Sequence, residues 1–166
     1  MREEAVGLRE VMRGWASGVA IVAAEADGER RGMTVSSFTS VSLEPPLLLV
    51  VLNARSETAR WVEKAGVFGI SILSSDQRQV AEVFSDPEAE KDRFEFGVWR
   101  PGELSVPLLE GAFASLEVRV VQNVDAGTHT VVVGRVEHVG ELREGAPIVY
   151  FNRAYRSPAW FSATSL

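Results

Sequence analysis

The chain contains no cysteine. That one absence removes disulfides, thiolate zinc sites, iron–sulfur clusters and cysteine nucleophiles together. Histidine is nearly absent too: only His129 and His138 occur, with no H-x-x-x-H spacing, which argues against a histidine-rich metal site. No apolar run exceeds Leu47–Leu52, far short of the roughly 20 residues that a helical membrane span needs. Acidic residues outnumber basic ones, 23 to 17, giving a net charge of −6 with no basic stripe, so a nucleic-acid partner is not expected. The opening residues, MREEAVGLREVMRGW, are charged and lack the apolar centre of a signal peptide, so a cytoplasmic protein is expected. The dinucleotide fingerprint G-x-G-x-x-G, the Walker phosphate loop and the G-x-S-x-G elbow are all missing. Carboxylates fall in runs such as Glu88-Ala89-Glu90, the pattern of a solvated surface and not of an acid–base pair.

With 166 residues, 46% of them hydrophobic and 24% charged, the chain has the make-up of one soluble domain, 1–166, with a proper core. Its most unusual stretch is Gly32–Pro46, GMTVSSFTSVSLEPP. Strand formers such as Val35 and Val41 predict one extended strand that stops at Pro45-Pro46. Thr34, Ser36, Ser37, Thr39, Ser40 and Ser42 place hydroxyls on both of its faces. A buried hydroxyl without a partner costs about 1–3 kcal/mol, so the strand either faces water or has something polar lying along it. Both readings stand at this point: a wet Thr/Ser strand, or a cradle for a polyol, phosphate or heterocycle edge.

Other segments read as follows. Residues 3–15 have helical spacing of Val6, Leu8, Val11, Met12 and Trp15. Val19–Ala24 is a short apolar strand, and Asp27-Gly28 signals a hairpin whose return strand is the hydroxyl-rich stretch. Leu47–Leu52 reads as a strand buried on both faces. Ser56 suits the N-cap of a helix that runs through Lys64 and ends at Gly66. Val67–Leu73 is another strand, and Ser74 or Ser75 caps a helix over 76–84 with Val80, Val83 and Phe84 inside. Residues 85–97 form a polar loop and 98–111 are irregular. Period-two alternation from Ala114 to His138 predicts a long hairpin turning at Val124–Gly127, and Ile148–Phe151 a last strand. Trp160 and Phe161 near the end suit docking on a partner subunit or packing on their own domain. Six or seven hairpin-connected strands with two or three inserted helices predict a mainly β antiparallel barrel with peripheral helices, and disfavour a doubly wound sheet.

Arg55, Ser56 and Thr58 sit at a helix start, where free N–H groups favour an anion. The plainer alternative makes Ser56 only a cap and Arg55 only a surface charge. Joined to the hydroxyl-rich stretch by a buried strand, the two places together could take a phosphate at one end and a polyol with a ring at the other.

GMTVSSFTSVSLEPP followed by N-x-R-S-x-T resembles the short-chain flavin reductases, whose fold is the FMN-binding split barrel. Phe84 at a helix end, P-L-L-E-G-A at 107–112, T-H-T at 128–130 leading into VVVGRVEHV, and P-I-V-Y-F-x-R-x-Y ending at Tyr155 match in the same order. The resemblance implies an NAD(P)H-dependent flavin oxidoreductase that reduces FMN or FAD with NADH or NADPH. Members are mostly homodimers, and many supply reduced flavin to a monooxygenase component. It implies that Thr34, Val35, Ser36 and Ser37 contact the ribityl chain and ring, and that Ser40, Val41 and Ser42 offer backbone groups to the ring edge. Asn53, Ser56 and Thr58, helped by Arg55, would hold the phosphate, and Phe84 would line the flavin pocket. His129 and Tyr155 would lie on the nicotinamide side. The family often has Gly-Asp-His where this chain has Gly127-Thr128-His129, and a cysteine where it has Val118. A non-catalytic flavin carrier and an FMN-dependent oxidase or heme-handling protein are the alternatives on the same fold.

Overall fold

A computed structural model describes residues 3–89 and 92–158. The elements in chain order are α1 (Glu3–Arg13), β1 (Ser17–Gly18), β2 (Ala20–Ala26), β3 (Glu29–Val35), β4 (Phe38–Leu43), β5 (Pro46–Asn53), α2 (Glu57–Ala65), β6 (Val67–Ile72) and α3 (Arg78–Ser85). They continue with β7 (Trp99–Pro101), β8 (Pro107–Leu109), β9 (Ala114–Ala126), β10 (His129–Val139), β11 (Val149–Phe151) and β12 (Ala154–Arg156). Seven strands form one sheet in the order β3-β2-β6-β9-β10-β5-β4, and every pairing in it is antiparallel. The mainly β antiparallel class expected from the sequence is therefore observed.

The largest departure concerns Gly32–Pro46. It is not one strand. β3 ends at Val35, the chain turns at Ser36-Ser37, and β4 begins at Phe38. These two strands lie at opposite edges of the seven-stranded sheet. With two residues between them, Val35 and Phe38 can lie about 11 Å apart at most, so the edges must come together and the sheet must curl into a barrel. The corner is fastened by Ser37, whose carbonyl accepts from the Val51 amide (2.9 Å) and whose hydroxyl donates to the Val51 carbonyl (2.9 Å). Strand propensity alone carries no mark of this corner, because Ser36 and Ser37 are tolerated in strand and turn alike. Pro46 does not stop a strand but starts β5, where the cis peptide Glu44–Pro45 lies in the connection from β4.

Local chemistry explains most of the other boundaries. Asp27 and Gly28 both have positive φ (54° and 75°), the backbone that a two-residue hairpin needs. Ser56 caps α2 and Gly66 ends it in the left-handed region (φ 67°). On β5, Leu48, Val50 and Leu52 are buried while Leu47, Leu49 and Val51 are only half-buried, so one face enters the core and the other is partly covered. The core falls in two clusters, one around Phe68, Ile70, Val50 and Val62, the other around Ile21, Leu73, Ala81 and Phe84.

Further expectations need correction. Neither Ser74 nor Ser75 caps α3. Its N-cap position is Gln77, which makes no side-chain cap bond, while Ser74 bonds the Asp76 carboxylate and the Gly111 carbonyl instead. Residues 98–111 are not irregular throughout, since β7 and β8 pair there. The long hairpin turns at Gly127-Thr128 because β9 runs on to Ala126. A twelfth strand follows the expected last one, across a turn in which Asn152 and Arg153 both have positive φ. No residue of α1 is buried. Trp160 and Phe161 lie outside the described residues. Among the described residues, no helix is long and apolar enough to cross a membrane.

One buried carboxylate ties a loop to the sheet. Glu117, 5% exposed on β9, accepts from the amides of Glu103 (2.9 Å) and Leu104 (2.7 Å). A Cβ at Gly102 would sit 2.4 Å from that carboxyl carbon, so the loop can approach only with glycine there. Glu117→Ala leaves two amides without acceptors and is expected to cost about 2–4 kcal/mol. Urea unfolding monitored by tryptophan fluorescence measures this, and a loss under about 0.5 kcal/mol would refute the role.

Candidate functional site

β5 delivers Asn53 to the end of the sheet, and the next residues turn into α2. Asn53 organises that turn. Its side-chain oxygen accepts from the Arg55 amide (2.9 Å), and its carbonyl accepts from the Ser56 amide (3.0 Å) and the Ser56 hydroxyl (2.7 Å). Ser56 Oγ in turn accepts from the Ala59 amide (3.1 Å). Ser56 is thus a true helix cap. The amides of Glu57 and Thr58 remain at the open end of the first turn, where no intrahelical acceptor exists. The partial positive charge of a helix start is added to them.

Opposite this helix start stands a wall built from β3 and the end of α3. Together they enclose a cleft of about 500 Å³ lined by Met33, Thr34, Asn53, Arg55, Ser56, Glu57, Thr58, Arg60, Phe84, Ser85, Pro87 and Arg93. The wall is knit by hydrogen bonds to main-chain carbonyls. Thr34 Oγ1 donates to the Ala81 carbonyl (2.8 Å), and Arg93 donates to those of Gly32 (2.8 Å) and Asp86 (2.7 Å). Phe84 is fully buried, 5.2 Å edge-to-face from Phe94 and 5.1 Å from Trp99.

Thr34, Asn53, Arg55, Ser56, Thr58 and Phe84 therefore meet around one cleft, although they come from three separate stretches of chain. The remaining sequence-assigned residues do not line it. Val35 is 4% exposed and packs in the core. Ser36 is exposed at the corner and Ser37 bonds Val51. Ser40, Val41 and Ser42 lie on β4, with a register shift between Ser40 and Ser42 that marks a bulge at the exposed Val41. His129 opens β10 opposite Asn53, one strand step from the cleft, with its Nδ1 2.9 Å from the Thr128 hydroxyl. The Thr128 carbonyl accepts from the Ala54 amide (3.1 Å), which fastens the hairpin tip to the α2 turn.

Tyr155 stands behind the wall. Its hydroxyl donates to the Ala81 carbonyl at 3.4 Å, the same acceptor that Thr34 uses.

Sequence reasoning missed Met33, Glu57, Arg60, Ser85, Pro87 and Arg93. Arg60 was open to discovery, since it lies one turn along α2 from Ser56. Arg93 was not: its Gly32 acceptor is 61 residues away.

The charge balance at the cleft is basic. Three guanidinium groups line it against one carboxylate, Glu57, which pairs with Arg60 at 2.7 Å near the surface. In a chain of net charge −6 this concentration of positive charge suits an anion. Met33 and Pro87 supply an apolar surface beside it, with the buried Phe84 ring packed beneath, and Thr34 a hydroxyl. A flat apolar body carrying a phosphate and a hydroxylated chain matches these donors, and FMN or the FMN half of FAD is such a molecule. Among the described residues no group of metal-binding side chains occurs.

Burial pushes the Tyr155 phenol above its ordinary value of 10.0, against a weaker opposing hydrogen bond from Ser85. The neutral phenol thus favours the folded state. That contribution is complete below pH 10 and is lost as pH rises through the higher folded value. Tyr155→Phe is expected to flatten the loss of stability above pH 10 relative to the parent protein. Urea midpoints between pH 8 and 11 measure it, and identical pH slopes would contradict it.

Comparison with known proteins agrees with this geometry. Residues 12–159 match the flavin reductase like domain. An NADH-dependent flavin reductase of a Rhodococcus species is 44% identical over 153 residues, covering 90% of this chain and 84% of that one. The reductase component of the 4-hydroxyphenylacetate 3-monooxygenase of Thermus thermophilus is 38% identical, covering 92% and 95%. Among solved structures, the NADH:FAD oxidoreductase SgcE6 of Streptomyces globisporus, in complex with NAD and FAD fragments, superposes with a TM-score of 0.89 at 31% identity, covering 98% and 96%. A match that spans nearly all of the chain, on a curled antiparallel sheet with an anion-suited cleft, shows that the protein belongs to the flavin reductase like family.

Proposed function

We propose that this protein is an NADH-dependent flavin oxidoreductase that binds FMN, or FAD, in the cleft between α2, β3 and α3. The observation that carries the reading is the meeting of the capped start of α2, the guanidinium groups of Arg55 and Arg60, and the wall of Thr34 and Phe84 around one cleft. The phosphate end goes to the amides of Glu57 and Thr58, with Asn53 and Ser56 holding that turn in shape and Arg55 supplying charge. Thr34 serves the ribityl chain, and Met33, backed by the buried Phe84 that lines the pocket from beneath, faces the ring system. His129 at the neighbouring hairpin tip and Tyr155 behind Thr34 bound the nicotinamide side. The NADH-dependent Rhodococcus reductase supports NADH as donor, and the Thermus monooxygenase reductase component supports supply of reduced flavin to a monooxygenase component.

Thr34, Asn53, Arg55, Ser56 and Thr58 would hold the flavin, which would supply the hydride-accepting chemistry while NADH would supply the hydride. The chain needs no nucleophile and no metal for its share. It must hold both molecules face to face, and orientation of that kind can be worth about 7–11 kcal/mol of barrier. Val41 and Leu43 of edge strand β4 are exposed at 51% and 84%. We read those side chains, with the Ser40–Ser42 backbone beside them, as surface for a second copy in a homodimer.

The direct test is loss of NADH absorbance with and without added FMN, run on protein whose mass is read by light scattering. Flavin-dependent oxidation by a particle of twice the 18.1 kDa chain mass is expected. Flavin binding without turnover by either NADH or NADPH would favour a carrier. The phosphate assignment is checked separately. Ser56→Ala combined with Thr58→Ala should weaken FMN about tenfold or more while changing riboflavin little, and equal losses for the two ligands would refute it.

A further inference from the structure

We infer that Arg93 is the positioning residue that sets one wall of the flavin cleft, an inference that rests on the flavin reading above. Arg93 is 7% exposed and forks between two main-chain acceptors, the Gly32 carbonyl at 2.8 Å and the Asp86 carbonyl at 2.7 Å. Those acceptors flank the wall. Gly32 precedes Met33 and Thr34 on β3; Asp86 follows Phe84 and Ser85 and precedes Pro87. One planar guanidinium therefore joins the two segments that supply the apolar side of the cleft, a bridge that a point-like ammonium does not reproduce.

The neighbouring contacts converge on the same place. Phe94, next in sequence, packs edge-to-face on Phe84 at 5.2 Å. A Cβ at Gly32 would lie 3.0 Å from the Phe84 ring and 3.2 Å from the Phe94 ring. The strand thus gives up a side chain where the two rings press on it, and lends its carbonyl to Arg93. Farther along, Thr34 fastens β3 to α3 through the Ala81 carbonyl. The wall is pinned at both ends, and Arg93 is the pin at the end nearer Pro87.

Arg93 acts on the shape of the wall and not on the phosphate. The ring system is common to riboflavin and FMN, so a displaced wall should weaken both by the same factor. This separates Arg93 from Ser56 and Thr58, whose loss falls on FMN alone. The test uses the full chain carrying Arg93→Lys, Arg93→Met or Gly32→Ala, with riboflavin and FMN titrated by quenching of flavin fluorescence and turnover followed with NADH. The expected result is a rise of about tenfold in Kd for both flavins in both Arg93 variants, with KM for flavin changing more than kcat. Gly32→Ala, which leaves Arg93 in place and moves the rings, should give an equal factor for the two flavins as well, and it supplies the measurement if an Arg93 variant fails to fold. A loss confined to FMN would make Arg93 a phosphate ligand and overturn the inference. So would unchanged Kd values, or recovery of parental affinity in Arg93→Lys. Failure of the parent protein to bind either flavin would sink the flavin reading itself, a result distinct from any seen only in the variants.

Discussion

Two residues, Ser36 and Ser37, join strands that lie at opposite edges of a seven-stranded sheet. So short a connection leaves the sheet no flat solution. It must curl until β3 approaches β5, and the pair of hydrogen bonds between Ser37 and Val51 holds the seam. Right-handed strand twist already favours curling, and the corner converts that tendency into closure. The rest of the fold follows from it: β5 ends near β3, so the turn into α2 arrives beside Thr34 instead of across the molecule.

The cleft is a by-product of that closure. One side is the start of α2, shaped by three hydrogen bonds to Asn53. The other is β3 braced against α3. Neither side carries chemistry alone. A capped helix start occurs in most proteins, and a hydroxyl-bearing strand edge is equally common. Brought around one cleft by the barrel, they offer an anion and an apolar body neighbouring places. Such division of labour, with fixed donors for an anion and an apolar wall for a ring, fits a protein whose reaction is carried by its ligands.

What could be read in advance was what is local. Ser56 with Glu57 announces a helix start, Gly66 its end, and Asp27-Gly28 a hairpin, because each residue acts within a few positions of itself. The alternation from Ala114 onward is equally local, and it placed the long hairpin to within a few residues of its turn. The break inside Gly32–Pro46 was not legible, since serine fits strand and corner alike and the cause lies in pairing with distant Val51. The start of α3 was misplaced for a similar reason: Ser74 looks like a cap, but Asp76 and Gly111 claim its hydroxyl. Of the residues around the cleft, Arg55, Ser56 and Thr58 were marked by the helix-start pattern and Thr34 by the hydroxyl-rich stretch, whereas Asn53 and Phe84 came only from the family resemblance. Arg93 was hidden because main-chain carbonyls are acceptors in every residue and leave no signature in the alphabet.

The first helix has a different standing from the rest of the molecule. None of its residues is buried; its Arg13 carbonyl accepts from the Asn152 amide at 3.0 Å, and Arg9, Met12 and Arg13 share a shallow cavity with Tyr150 and Arg153. Eleven residues are too few for a helix to be secure on its own in water. What order it keeps is therefore lent by the β11–β12 turn it rests against, and the barrel receives little covered surface from it in return.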